Sequence, residues 1–174
     1  GKTILSANLG VTLAKAGKTV ILIDLDLGGS NLHTCLGVRN RYPGIGNYIF
    51  QKENIFESLI LPTEQQRLFF IPGDSLIPGT ANLPYFRKLK ILKAVNDLVA
   101  DYVILDLGSG TTFNTFDFSL SSSSPAVVIT PETTSILNAY SFIKSTLFRL
   151  IYRSFPPSSR EREIVKEFIT EKIE

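Results

Sequence analysis

Thr19-Val20-Ile21-Leu22-Ile23-Asp24-Leu25-Asp26-Leu27-Gly28-Gly29-Ser30-Asn31 is the stretch whose reading decides the fold. Thr19 to Ile23 is β-branched and apolar without a break, the composition of a strand buried on both faces of a parallel sheet. The run stops on a carboxylate and passes into a glycine-rich loop. Working outward, Leu68 to Ile71 repeats the pattern and is closed by Pro72-Gly73-Asp74, while Tyr102 to Leu105 repeats it and ends on Asp106. Ala126 to Ile129, fed by Ser121 to Ser124 and Pro125, is predicted as a fourth such strand.

The segments between carry helical spacing. Leu5, Leu9, Val11 and Leu13 predict a helix over residues 3–16, stopped at Gly17. Phe86, Leu89, Leu92, Val95 and Val99 predict one over 86–100, and Ile136 to Ile151 one over 135–152, ahead of Pro156-Pro157. Shorter helical stretches are expected near Tyr48 and over 54–61, and a loop near Pro78 and Gly79. Ser158 with Glu161 predicts a capping box for a last helix reaching Ile173. Strands alternating with helices define an α/β fold with an open, mostly parallel sheet, whose ligands sit at the carboxyl ends of the strands.

A chain of 174 residues with 44% apolar content can bury a sizeable core. Its net charge of +2 argues against a protein that coats nucleic acid, so an anionic ligand has to be met by local chemistry. The single Cys35 forms no internal disulfide, which favours a reducing cytoplasm. No run approaches a membrane span. The absence of Met, at the start and throughout, predicts that these residues are part of a longer polypeptide.

Gly1-Lys2-Thr3 is the tail of the G-x-x-x-x-G-K-[ST] phosphate loop, in which loop amides and the Lys hold phosphates and the hydroxyl binds magnesium. It opens a predicted helix, whose unpaired amides and dipole favour an anion. Asp24 and Asp26 at the next strand end place two carboxylates near a magnesium ion and a water beside a γ-phosphate. Asp106 ends a further strand, where a carboxylate holds that ion directly or through water. Each acid taken singly also serves as a turn or helix cap. His33 stands alone, without a metal-binding set, and reads as a solvated or capping residue. Lys144, Arg149 and Arg153 form a basic stripe on the 135–152 helix, read as a solvated face. The last helix is amphipathic with both charge signs, which fits ordinary packing better than membrane insertion.

With these motifs in register, the chain resembles the deviant-Walker ATPases of the MinD/ParA group over nearly its whole length. The family pattern of strand, D-x-D, short loop and Asn is matched by Asp24-Leu25-Asp26-Leu27-Gly28-Gly29-Ser30-Asn31-Leu32, and its Walker B segment by Tyr102 to Asp106 with Gly110. The resemblance implies a P-loop NTPase three-layer sandwich whose first strand, preceding Gly1, is missing. It implies a nucleotide-binding domain over 1–155, partial at its N-terminus, and a C-terminal helix over 156–174 leading to further sequence. It further implies ATP and Mg2+ as cofactors. Gly1, Lys2 and Thr3 would then line the phosphates, with Lys2 on the β- and γ-phosphates and Thr3 on magnesium. Asp24 would lie near the ion, Asp26 would orient the attacking water, and Asn31 would sense the γ-phosphate. Asp106 would hold magnesium through water, and Gly110 would serve the second switch.

Ile4 departs from the hydroxyl residue common after the P-loop Thr, and the deviant Lys would precede Gly1. Leu27-Gly28 stands where the partition branch has Pro-Gln, so the chain looks nearer the MinD branch, which includes the flagellar-number regulator FlhG; Pro131 to Ile136 points the same way. The implied activity is a nucleotide-dependent homodimer that hydrolyses ATP and recruits partners for cell division, flagellar number or cargo positioning. It would be cytoplasmic and peripheral to the inner membrane through sequence not shown, with hydrolysis-stimulating proteins as partners and nucleic acid a weaker expectation. The 174-residue piece alone is expected to be impaired as an ATPase. Alternatives are an iron–sulfur carrier, which needs paired thiolates, a chromosome or plasmid partition ATPase, a tyrosine kinase of related fold, and a scaffold that binds nucleotide without turnover.

Overall fold

The computed structural model describes residues 1–27, 29–39, 43–50, 52, 54–73 and 83–171. Gly28, Asp74, Pro78, Gly79 and Ile173 lie outside the described residues. The chain divides into two compact units, Gly1–Ser109 and Gly110–Glu174.

The first unit is built on a four-stranded sheet. Helix α1 (Lys2–Lys15) leads into β1 (Val20–Leu25), then α2 (Leu32–Cys35), α3 (Ile45–Ile49), a 3-10 turn (Phe56–Leu59), β2 (Leu61–Pro62), β3 (Leu68–Ile71), α4 (Tyr85–Asn96) and β4 (Tyr102–Leu107). The sheet order is β2-β3-β1-β4; β1 runs parallel to β3 and β4, and β2 pairs antiparallel with β3. The three long strands are those the continuous apolar runs predict. Gly17 holds a positive φ of 85° after α1, the left-handed stop expected there.

Every residue of β1 is buried, so both faces of the strand are covered. Side chains alternate across a strand. Val20 and Leu22 join Leu68, Phe70, Leu32 and α1's Ala7 and Ala14 in one core cluster, with Ile104 of β4 packed against it. Asp24 and Asp106 continue this same alternation, so both carboxylates emerge on the α1 side of the sheet. The strand β4 is less covered than β1, and among the described residues it pairs only with β1.

The second unit holds α5 (Phe113–Ser121), α6 (Thr133–Ser154) and α7 (Arg160–Glu171). Helix α5 starts at Thr112, whose hydroxyl accepts from the Thr115 amide. Three expectations are corrected here. Ala126–Ile129 is not a strand: the segment lies outside helix and sheet, with Val127, Val128 and Ile129 exposed. β-Branched propensity forms a strand only where a partner supplies a hydrogen-bond ladder, and no described strand meets this segment. The cap of the last helix is Ser159, whose hydroxyl accepts from the Arg162 amide, rather than Ser158. The basic stripe of α6 is a solvated face only at Lys144, which is exposed. Arg149 clamps Asp117 with Nε and Nη2, each at 3.0 Å, and Arg153 adds Nη1 at 3.1 Å. Asp117 is 1% exposed, so both guanidiniums are held as its counter-charges. Arg149 also stacks 4.7 Å from the Phe113 ring, and Lys144 lies near Phe148.

Candidate functional site

The site grows from the carboxyl ends of β1 and β4. Asp24 and Asp106 are partners in the parallel register, on strands spaced about 4.8 Å apart, and both are essentially sealed from solvent. Two buried carboxylates this close need hydrogen-bond donors, and the chain supplies them from different directions. Ser6, one turn beyond Thr3 on α1, donates to Asp106 Oδ1 at 3.0 Å. Asp24 is held by its own loop: Oδ1 accepts the Asp26 amide at 3.1 Å, while Oδ2 accepts the Ser30 hydroxyl at 2.6 Å and the Leu32 amide at 3.1 Å. Burial pushes the Asp24 carboxyl above its ordinary value, the bonds from Ser30, Leu32 and Asp26 pull it back in part, and the charge of Asp106 pushes it up again.

The loop from Asp24 to Leu32 therefore wraps around a carboxylate. Asp26 sits half-buried beyond it, its carbonyl accepting the Gly29 amide at 3.1 Å. Its carboxylate lies over Gly108: a Cβ there would fall 2.8 Å from Asp26 Oδ1, well inside contact distance. Gly73, at the end of β3, meets Asp24 in the same way, with a Cβ falling 2.8 Å from the Asp24 carbonyl oxygen and 3.0 Å from Ser30 Oγ. Gly44 closes the neighbouring turn, where a Cβ would reach 2.8 Å from the Pro72 carbonyl, and Ile45 donates its amide to that same oxygen at 3.0 Å. Asn31 is exposed and donates Nδ2 to the Gly29 carbonyl at 2.6 Å, which braces the loop crest.

Gly1, Lys2 and Thr3 form the start of α1, with Gly1 at the N-cap and exposed, and Lys2 and Thr3 half-buried. No side chain caps this helix end, which leaves its first-turn amides for an anion. The Ser6–Asp106 bond anchors the same helix to the strand-end acids. Gly110 belongs to the second unit and carries a φ of 99°, a left-handed conformation that glycine adopts without strain. His33 is in α2 rather than a loop, partly buried, its Nδ1 enclosed without a hydrogen-bond partner; Cys35 is exposed on the same helix.

Among the described residues, no three His, Cys, Asp or Glu side chains are arranged to hold a metal by themselves. The oxygen donors present suit magnesium, which takes one or two carboxylates and completes its shell with waters and ligand phosphates. The donors missed from the sequence are Ser6 and Ser30, and the bare positions missed are Gly44, Gly73 and Gly108. Ser6 and Asp106 are 100 residues apart, and no spacing rule connects them.

Parallel strands ending in paired acids beside an uncapped Gly-Lys-Thr helix start define a phosphate-loop nucleotide-binding domain of the α/β class. The chain belongs to the family of the CobQ/CobB/MinD/ParA nucleotide binding domain, which matches residues 1–148. It is 32% identical over 152 residues to an uncharacterized ATP-binding protein of Methanocaldococcus jannaschii, covering 84% of this chain and 54% of that protein. It is 29% identical over 154 residues to the flagellum site-determining protein YlxH of Helicobacter pylori, covering 83% and 49%. The chain thus spans about half the length of the curated relatives it matches. Its fold is that of the septum site-determining protein MinD complexed with Mg-ADP from Pyrococcus horikoshii, with a TM-score of 0.73 at 22% identity, covering 86% of this chain and 60% of that one. It is also similar to a chain of the Aquifex aeolicus MinC:MinD cell division protein complex, with a TM-score of 0.64 at 28% identity over 83% and 57% of the two chains. The MinD members of this family are ATPases that act in cell division, and others act in flagellar placement. No helix of the described residues is long and apolar enough to cross a membrane.

Proposed function

We propose that this chain is the nucleotide-binding part of an ATP-driven switch that hydrolyses ATP with magnesium, dimerises in the triphosphate state and recruits protein partners for the placement of a cellular structure. The observation that carries the proposal is the register pairing of the buried Asp24 and Asp106 on the face that α1 covers, with Ser6 tying Asp106 to the helix that Lys2 and Thr3 open. That arrangement aims the uncapped helix end and the acids at one region. Gly1, Lys2 and Thr3 would receive the phosphates there, and the Thr3 hydroxyl and Asp106 would hold a magnesium ion, whose charge would offset that of the phosphate oxygens.

Asp24, whose oxygens already accept three donors, would organise its loop beside the ion. Asp26 orients the attacking water and Asn31 reports the γ-phosphate to the loop crest. Gly110 gives the second switch its backbone freedom. Residues 1–155 form the nucleotide-binding domain, and α7 follows it in the chain. The full polypeptide works in the cytoplasm and at the inner membrane face. An iron–sulfur role lacks support in the described residues, where Cys35 is the sole thiol.

Calorimetric titration of Mg-ATP into the full-length protein tests the reading. Lys2→Ala is expected to abolish binding, and Asp26→Ala to keep binding while losing at least a hundredfold in turnover. Unchanged affinity in Lys2→Ala overturns the phosphate assignment, and wild-type turnover in Asp26→Ala removes its role in placing water.

A further inference from the structure

We propose that Ser6 is a positioning residue for the magnesium site: its hydroxyl occupies one oxygen of Asp106, Oδ1, and so fixes the other, Oδ2, as the carboxylate oxygen left for the ion. This role rests on the reading of Asp106 as a magnesium-holding acid and adds the residue that sets how that acid is presented. Ser6 acts through Asp106 rather than on the nucleotide.

Two acids of nearly equal burial are supplied with different numbers of donors. Asp24 is 0% exposed and accepts on both of its oxygens: the Asp26 amide on Oδ1, and the Ser30 hydroxyl and Leu32 amide on Oδ2. Asp106 is 2% exposed, and among the described residues it accepts from Ser6 alone, on Oδ1. A buried carboxylate costs free energy until hydrogen bonds or a counter-charge meet its oxygens. The loop after β1 meets that demand at Asp24. At Asp106 it is met on one oxygen, and a cation at Oδ2 would meet the rest.

Helix α1 presents the hydroxyl from the right place. Ser6 lies one turn after Thr3, so the two side chains share a helix face with Cβ atoms about 5–6 Å apart. Both residues are half-buried, while Ile4 and Leu5 between them are exposed. A hydroxyl inside a helix commonly bonds back to the carbonyl one turn before it. Thr12 does so, its Oγ1 donating to the Asn8 carbonyl at 2.7 Å, and Asn8 likewise donates Nδ2 to the Ile4 carbonyl at 2.8 Å. Ser6 instead sends its proton across to the strand, to Asp106 Oδ1 at 3.0 Å. A carboxylate torsion is otherwise broad. With Oδ1 tied to the helix, Oδ2 keeps one orientation beside the Thr3 face. Partners of this kind orient the ligands of metal sites, and their loss weakens metal binding by about 10–100-fold.

The test titrates the full-length protein with β,γ-imido-ATP, a non-hydrolysable analogue, carrying a methylanthraniloyl fluorophore, in EDTA and across a magnesium series. Wild-type affinity is expected to tighten with magnesium. Ser6→Ala is expected to need at least about tenfold more magnesium for half of that tightening, with its affinity in EDTA within about twofold of wild type. Ser6→Thr, which keeps the hydroxyl, is expected to restore the wild-type requirement. Asp106→Asn is expected to raise the requirement at least as far as Ser6→Ala does, and Ser6→Ala added to it to cost nothing further, because Ser6 acts through that acid. A wild-type magnesium requirement in Ser6→Ala overturns the role of Ser6 and leaves the reading of Asp106 standing. Wild-type affinity that ignores magnesium overturns that reading and this role together. An equal loss with and without magnesium in Ser6→Ala, as a mere helix anchor would give, overturns the role of Ser6. A Ser6→Thr no better than Ser6→Ala, or a further loss in the double variant, does the same.

Discussion

Replacing Ser30 with Ala removes one hydroxyl from a carboxylate that solvent does not reach. Ser30 is 6% exposed and Asp24 fully buried, and the bond between them is 2.6 Å, in the range of a hydroxyl donating to an ionised oxygen. A hydrogen bond to a charged group contributes about 1.5–3 kcal/mol, and one between neutral groups about 1 kcal/mol. Asp24 keeps the amides of Asp26 and Leu32 in the variant, so the loss at pH 7 is expected near the middle of the charged range, about 2 kcal/mol. The pH dependence gives the sharper test. Because the folded-state pKa of Asp24 lies above its ordinary 3.8, the folded protein holds this proton more tightly than the unfolded chain. Its contribution is therefore most favourable below 3.8 and is lost as pH rises through the folded value. Without Ser30 that value rises further, so the descent continues to higher pH and ends lower. Urea unfolding followed by circular dichroism, in EDTA, should show Ser30→Ala costing about 2 kcal/mol at pH 7 and less at pH 4. An equal cost at the two pH values, or under about 0.5 kcal/mol at pH 7, refutes the account of Asp24 as a loop organiser held charged by Ser30.

Gly108→Ala places a methyl 2.8 Å from Asp26 Oδ1 and drives that carboxylate aside; Mg-ATP affinity by calorimetry is expected to change less than threefold while turnover falls at least tenfold, since a small misplacement of a positioning group costs rate more than binding. Asp117→Ala strips the shared anion from Arg149 and Arg153. Both guanidiniums are partly exposed and can turn to water, which puts the expected loss at the low end for a broken buried pair, about 3 kcal/mol, read as thermal destabilisation of the α5–α6 contact.

The three long strands of the first unit were legible because each is an unbroken apolar run, and their terminal acids because a carboxylate at a strand end breaks that run in plain view. The register that sets Asp24 against Asp106 was not legible, nor was the Ser6 bond across 100 residues. Local pattern carries no information about which distant donor meets a buried acceptor. Ala126–Ile129 misled for the complementary reason: its residues favour an extended backbone, and composition does not say whether a neighbouring edge is there to pair. Helix α5 escaped notice because Phe113–Ser121 mixes aromatic and hydroxyl residues without a single apolar stripe. Its Asp117 then hid the meaning of Arg149 and Arg153, whose partner lies 32 and 36 residues away.

The two bare positions on either side of Pro72 have a mechanical consequence. Gly73 touches the Asp24 backbone and Gly44 touches the Pro72 carbonyl, each so closely that no side chain fits between. A packed side chain is a cushion that takes up displacement by changing rotamer. Backbone pressed on backbone has no such slack. The end of β1, the end of β3 and the start of α3 are therefore geared together, and a shift of the loop around Asp24 is carried to the helix that holds Tyr48 without being absorbed on the way.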